Sequence, residues 1–472
     1  MRKRVTYHSA VFIAILVAAV MIVLNSCKPT AGHVLGGPDD SLEIGVAATT
    51  VDTTLLKEYG LTSTSSVLAF YKGNGASLAW FNDGKLLPAA DSMLEVVREA
   101  ENYGLSPETY KLAELEVLRN ELLVFQFTTP DRLDILLTDA FVTMARNLGH
   151  GISGQVASTP GVNAGDYAEL LRKTLEEGEI RHSLESQEPC GEQYLALRNE
   201  LRTLLIRRST APDDLPDINS KISKLKINIE RWRWEAGPLP ERYVFINIPA
   251  YQLSVIEGGE TVLQSKVIVG AKSTPTPVLE SSIWCFTIYP YWTVPRSIAV
   301  KEILPKMKTD SGYLSRHLYE VLDYKNNLVD AKAIDWFQYN EDNFPYYIRQ
   351  KEGRENALGI VKFRFENPYG VYLHDTNARQ LFSRKDRALS HGCIRMEKAE
   401  EFAYYLVKND SVYSNPMLLA QYFKLVKRTE ISVIQPIPIY VRYFTAWDEN
   451  GQIVYYPDVY NKDGRLGFRE VL

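Results

Sequence analysis

The hydrophobic pattern of this chain changes its period once, at Tyr243, and the change separates two kinds of fold. Ahead of it, apolar residues recur at three- and four-residue steps. Leu133, Leu136, Leu137, Ala140, Phe141 and Met144 do so within residues 131–148, and Ile218, Ile222, Leu225, Ile229 and Trp232 further on. That spacing lines one face of a helix. Residues 91–100, closed by Gly104, and the run marked by Tyr194, Leu195, Leu201, Leu204 and Leu205 read the same way. After Tyr243 the alternation has period two, which predicts strands at 243–248, 252–256, 261–269, 283–289, 360–365, 370–374, 437–446 and 453–456. Gly258-Gly259 and residues 448–451 supply turns between them. The chain is therefore expected to be α+β: a mostly helical N-terminal domain followed by a β-rich C-terminal domain.

With 472 residues, 45% of them hydrophobic and 11% aromatic, the sequence is long enough for two or three cores and too apolar for disorder. A net charge of -5 argues against a nucleic-acid partner, which calls for a basic excess. Four cysteines are too few for a disulfide scaffold. Arg2, Lys3 and Arg4 precede an apolar run over 10–24 that ends in Leu24-Asn25-Ser26-Cys27. The run is short for a membrane span, which takes about 20 residues, and its basic start and small residue before the cut describe an export signal over 1–27. Leu-Asn-Ser-Cys resembles a bacterial lipobox, although Asn25 departs from it. The resemblance implies lipidation at Cys27, membrane anchoring and a periplasmic location, with an uncleaved signal anchor as the alternative. Residues 28–42, rich in Pro, Gly and Asp, read as a tether.

The chemistry concentrates in Tyr372-Leu373-His374-Asp375-Thr376 and, further on, Ser390-His391-Gly392-Cys393-Ile394-Arg395. A cysteine nucleophile needs a base and a set of N–H donors for an oxyanion. His374 at a strand end can be the base, and Gly392 permits a tight turn whose amides face a substrate carbonyl. Apolar spacing after Glu397 predicts a helix, which would set Cys393 just ahead of a positive helix end. From the residues alone two other readings stay open. One is a buried cysteine among packed histidines; the other is a zinc site from His374, His391 and Cys393, which lacks a fourth ligand at sensible spacing.

The segment resembles the signature of the YkuD-type L,D-transpeptidases: a histidine, then Ser/Thr-His-Gly-Cys, then Asn or Arg. Asn247-Ile248-Pro249-Ala250-Tyr251, Val267-Ile268-Val269-Gly270, Thr276-Pro277-Val278, Trp292-Thr293-Val294-Pro295 and Leu358-Gly359 extend the likeness to the large, two-domain murein enzymes of that family. Phe70-Tyr71, Ala79-Trp80-Phe81, Gly104-Leu105-Ser106-Pro107 and Leu136-Leu137-Thr138-Asp139 resemble their scaffold domain. The implied organisation is a scaffold domain over 43–160, a helical connector over 161–240 without a peptidoglycan-binding repeat, and a catalytic domain over 241–472. A capping insert of about 301–358 interrupts that last domain.

The resemblance implies acyl transfer between peptidoglycan stem peptides, with no cofactor and no metal. Cys393 would be the nucleophile and His374 the base. His391 and Gly392 would shape the oxyanion turn, and Arg395, Tyr372, Ser390 and Trp292 would contact the substrate. Tyr289 and Tyr291 are further candidates for the groove wall. A D,D-carboxypeptidase would supply the tetrapeptide donors. Cys190 and Cys285 either pair in the oxidising periplasm or remain buried thiols.

Overall fold

The computed structural model describes residues 51–464 apart from 53, 126–129, 153–162, 211–213, 236, 238 and 410–415. The expected signal, Cys27 and the tether lie outside the described residues. Among those described, no helix is long and apolar enough to cross a membrane.

The N-terminal half is helical. Helices α1 (Thr64–Gly73), α2 (Pro88–Arg98), α3 (Leu112–Phe125), α4 (Pro130–His150), α5 (Ala164–Glu177) and α6 (Ile180–Glu185) enclose one core, with Trp80, Phe70, Phe141 and Leu171 at its centre. The core thus runs past residue 160 to Leu184. The motif residues of this half are joined through α4. Asp134 accepts hydrogen bonds from the Ala79 and Trp80 amides (2.9 and 2.7 Å) and from the Tyr71 hydroxyl (2.6 Å), and the Trp80 indole donates to Thr138. Burying that polar run is tolerable because each group has a partner.

Helices α7 (Glu192–Thr210) and α8 (Leu215–Arg233) follow the predicted stripes. They bury Leu197, Leu201, Leu225 and Trp232 against Phe245 and Phe444, so the connector covers one outer face of the β domain.

The β domain holds strands β1 (Arg242–Asn247), β2 (Gln252–Glu257), β3 (Glu260–Gly270) and β4 (Leu279–Ile288). Next in the chain come β5 (Trp292–Thr293), β6 (Tyr319–Leu322), β7 (Leu328–Val329) and β8 (Tyr347–Gln350). The chain continues through β9 (Val361–Phe365), β10 (Leu373–His374), β11 (Ala388–Ser390), β12 (Ile394–Met396) and β13 (Thr429–Arg442), and ends in the hairpin β14 (Ala446–Glu449) and β15 (Gln452–Tyr455). The main sheet runs β11-β3-β12-β10-β9-β4-β13-β1-β2, and β2 pairs back onto β3, so the sheet closes on itself. Val244, Ile246, Phe286, Phe363, Leu373 and Ile394 fill its inside together with Phe402 and Leu406 of α9 (Ala399–Leu406).

The insert is a body of its own. Strands β5-β8-β6-β7 and short helices over Arg296–Ile298, Leu304–Thr309 and Tyr313–Arg316 surround a separate core of Val294, Ile298, Leu304, Trp336, Phe344 and Ile348. It starts before residue 301, because Trp292 and Thr293 pair with Gln350 and Arg349.

Candidate active site

Register builds the site. β10 runs parallel to β12, with Leu373 opposite Ile394 and His374 opposite Arg395, and Cys393 follows as the residue opposite Tyr372. Side chains alternate along a strand, so Leu373 and Ile394 enter the core while Tyr372, His374, Cys393 and Arg395 share the outer face. On the other side of β10, antiparallel β9 sets Lys362 opposite His374. Cys393 and His374 are thus diagonal neighbours on one face.

His374 is buried, and its Nδ1 lies 2.5 Å from the Asp375 carbonyl oxygen, so Nδ1 must carry the proton. The carboxylate of Asp375 is turned away; it accepts from the Ile360 amide and pairs with Arg379 at 2.8 Å. Gly359, at φ +63°, makes room for it, since a Cβ there would stand 2.2 Å from Asp375 Oδ2. Burial, and after it repulsion from Arg395 and Lys362, hold the His374 imidazole down to about 3, outweighing the backbone hydrogen bonds at Asp375 and Leu358. Burial likewise pushes the Cys393 thiol above its usual 9.0, opposed by hydrogen bonding to Tyr372 and by the charges of Lys362 and Arg395. The Tyr372 ring sits 5.8 Å from the His374 ring, and its hydroxyl interacts with both Cys393 and Trp292.

The turn ahead of Cys393 is held from within. Ser390 is 3% exposed; its hydroxyl donates to the Cys393 carbonyl at 2.5 Å and accepts from the Gly392 amide at 3.1 Å. The sequence reading set Ser390 toward substrate, whereas the structure turns its hydroxyl inward, because the tight turn needs those two bonds. Gly392 has φ +116°, a conformation that other residues rarely adopt. Its carbonyl accepts from Thr276 Oγ1 at 2.8 Å, and Thr274 Oγ1 donates to the Ser390 carbonyl. The Thr276-Pro277-Val278 segment therefore buttresses the turn. His391 points outward, where Nε2 meets Glu302 of the insert at 2.7 Å.

Other expectations change as well. Cys393 does not precede a helix: β12 comes next and α9 starts only at Ala399, so no helix end supports a thiolate. The reason is that Ile394 and Met396 are claimed by the core as alternating strand residues. Tyr289 is fully buried and donates to the Phe423 carbonyl, so it belongs to the core and not to a groove wall. Tyr291 is exposed with Arg349 over its ring, and of the three aromatics Trp292 is the one at Tyr372. Cys190 is an exposed thiol ahead of α7 and Cys285 a buried one on β4, both free. Sequence reasoning missed Lys362, Glu302 and Thr274, which strand register and the insert's docking alone bring to the site.

Among the described residues no group of three His, Cys, Asp or Glu side chains could share a metal ion. The zinc alternative finds no support in their placement: His391 faces the insert while His374 is hydrogen-bonded to backbone.

Comparison with known proteins bears on the same segments. Residues 241–413 match the family described as "L,D-transpeptidase catalytic domain", and residues 65–201 match the family described as "Scaffold domain". A Haemophilus influenzae protein named "Putative L,D-transpeptidase" is 38% identical over 253 residues, which are 52% of this chain and 50% of that protein. The chain thus spans about half the length of that relative. Among solved structures, the catalytic domain of the E. faecium L,D-transpeptidase acylated by ertapenem covers 44% of this chain and 100% of its own, at 12% identity and a TM-score of 0.21. An L,D-transpeptidase from Mycobacterium smegmatis covers 43% of this chain and 58% of its own, at 17% identity and a TM-score of 0.19.

Proposed function

We propose, from the match of residues 241–413 to an L,D-transpeptidase catalytic domain and of residues 65–201 to a scaffold domain, that the chain crosslinks peptidoglycan through a thioester on Cys393. The observation that supports this most is the β10–β12 register, which sets Cys393, Tyr372, His374 and Arg395 on one face beneath Trp292.

In this reading the donor is a tetrapeptide stem. With Nδ1 bound to the Asp375 carbonyl, His374 would take the thiol proton at Nε2. The Cys393 sulfur attacks the carbonyl between diaminopimelate and the terminal D-Ala. The C–N bond breaks, the imidazolium returns its proton to the departing amine, and a thioester remains. The side-chain amine of a second stem then attacks that thioester and gives a proton to His374. The C–S bond breaks, and the proton passes back to Cys393.

The Gly392 amide is engaged by Ser390, so the oxyanion falls to the amides of His391 and Cys393. The Tyr372 hydroxyl supports the thiolate in place of a helix end. Arg395 suits a substrate carboxylate. The insert, tied to His391 through Glu302, would close over the acyl-enzyme and keep water out.

Anchoring through Cys27 would place the enzyme in the periplasm, at the membrane, where a D,D-carboxypeptidase provides tetrapeptides. Product analysis on purified disaccharide-tetrapeptide tests the reading. A diaminopimelate–diaminopimelate dimer is expected. Trimmed tripeptide alone would make the protein an L,D-carboxypeptidase, and transfer only to a protein amine would make it an attachment enzyme. A folded chain that forms no Cys393 adduct at all would favour the alternative of a non-catalytic wall-binding lipoprotein.

A further inference from the structure

Among the described residues, Lys362 is a half-buried cation with no carboxylate to meet it. It stands on β9 opposite His374, and its Nζ lies 3.8 Å from the centre of the Tyr372 ring, leaning toward the residue that faces Cys393. Among the described residues it forms no ion pair. Two strands away on the same face, across Thr287 of β4, Glu430 of β13 is already shared by Arg364 at 3.5 Å and Arg428 at 3.2 Å. Arg395 is in the same position: among the described residues its buried Nε has no hydrogen-bond partner and no carboxylate pairs with it. His374 therefore has an uncompensated cation on each side in register, Lys362 on β9 and Arg395 on β12. Withdrawing two like charges from water around one imidazole is unfavourable unless an anion arrives to offset it.

We propose that Lys362, together with Arg395, forms a carboxylate subsite that reads the free C-terminal carboxylate of the residue being expelled from the donor. The inference rests on the transpeptidase reading above and adds the residue that selects among donors. The leaving group is a single amino acid, so its carboxylate is one carbon removed from the scissile nitrogen and must lie beside the nucleophile. Arg395 is two residues from Cys393 on the same strand face, about 7 Å along it, and Lys362 reaches over Tyr372 toward the same point. A stem longer by one residue presents an amide where the carboxylate should be and leaves both cations unpaired.

Charge supports the same assignment. Lys362 and Arg395 depress the proton affinity of His374 in the free protein. A carboxylate seated between them offsets that repulsion and makes the imidazole a better base when the thiol has to lose its proton.

The test uses the full chain and two matched synthetic donors, one ending in a free D-Ala carboxylate and one in the D-Ala carboxamide. Single-turnover formation of the Cys393 thioester is followed by intact-protein mass. Wild type is expected to favour the carboxylate donor by about 10-fold or more. Lys362→Met should bring the ratio close to 1, and Lys362→Arg should restore most of it. A Lys362→Met protein that loses rate equally on both donors, or keeps the wild-type ratio, overturns the proposal. Circular dichroism and a cooperative unfolding transition like that of wild type check that the variant is folded. If wild type is acylated by neither donor, the transpeptidase reading itself fails and takes this subsite with it.

Discussion

Glu302 of the insert and His391 of the Ser-His-Gly-Cys turn meet at 2.7 Å, a contact between two bodies that each have their own hydrophobic core. Both side chains are about half exposed, so the pair contributes little to stability. On the proposed function, its importance would lie in where it holds the insert. Glu302→Ala is expected to change unfolding free energy by less than about 1 kcal/mol while shifting the acyl-enzyme toward hydrolysis. The ratio of crosslinked dimer to trimmed tripeptide measures this. An unchanged ratio would mean that the insert keeps water out without that contact, or not at all.

Cys393 has no helix end to lower its pKa, and burial pushes the thiol up from 9.0. In the free protein the pair is therefore neutral thiol and neutral imidazole. Alkylation of Cys393 by iodoacetamide should rise about tenfold per pH unit from pH 6 to 8.5 with no plateau. A plateau near neutrality would reveal a standing thiolate–imidazolium pair.

His374 links folding to pH. Its folded pKa is about 3 against 6.5 for an ordinary histidine, so below pH 6.5 the unfolded chain takes up a proton that the folded chain refuses. Stability on this account is fully present above about 6.5 and falls as pH drops toward 3, by up to about 1.4 kcal/mol per unit. Asp134, raised to about 6, acts with the opposite sign. The informative quantity is hence the difference between wild type and His374→Gln, measured by chemical unfolding at pH 7, 6 and 5. Equal slopes would show that His374 titrates normally.

Asp134 ties the loop before α2 to α4. Asp134→Ala leaves the Ala79 and Trp80 amides without their acceptor, while Tyr71 keeps Thr138. A loss of about 2–4 kcal/mol in the unfolding of the helical half is expected, with Cys393 alkylation unaffected. Denaturation followed by tryptophan fluorescence, with labelling in parallel, reads both. A near-neutral effect would mean that water replaces the carboxylate at that site.

The order of elements was written in the periodicity. Helix stripes at 131–148 and 218–232 and strand alternation from Tyr243 became α4, α8 and the closed sheet, because solvent forces apolar faces inward wherever they occur. Each of β3, β9 and the turn at Gly258 and Gly259, with φ of +62° and +83°, lies where local chemistry puts it. The Ser-His-Gly-Cys segment announced itself through residue type, and Gly392 through its need for positive φ.

What no local pattern carries is the lateral order of strands. His374 and Cys393 come onto one face as diagonal neighbours because β10 lies parallel to β12, and Lys362 joins them because β9 lies on the other side. Tyr289 and Ser390 looked equally fit for a groove, and packing sent both inward. The residues after Cys393 read as the approach to a helix until the core claimed Ile394 and Met396 as a strand. Sequence determined which groups are present and which face of each element is apolar, since those depend on neighbours along the chain. Tertiary structure alone decided which charges stand beside the sulfur, since pairing across the sheet joins residues whose separation in sequence says nothing about their distance in space.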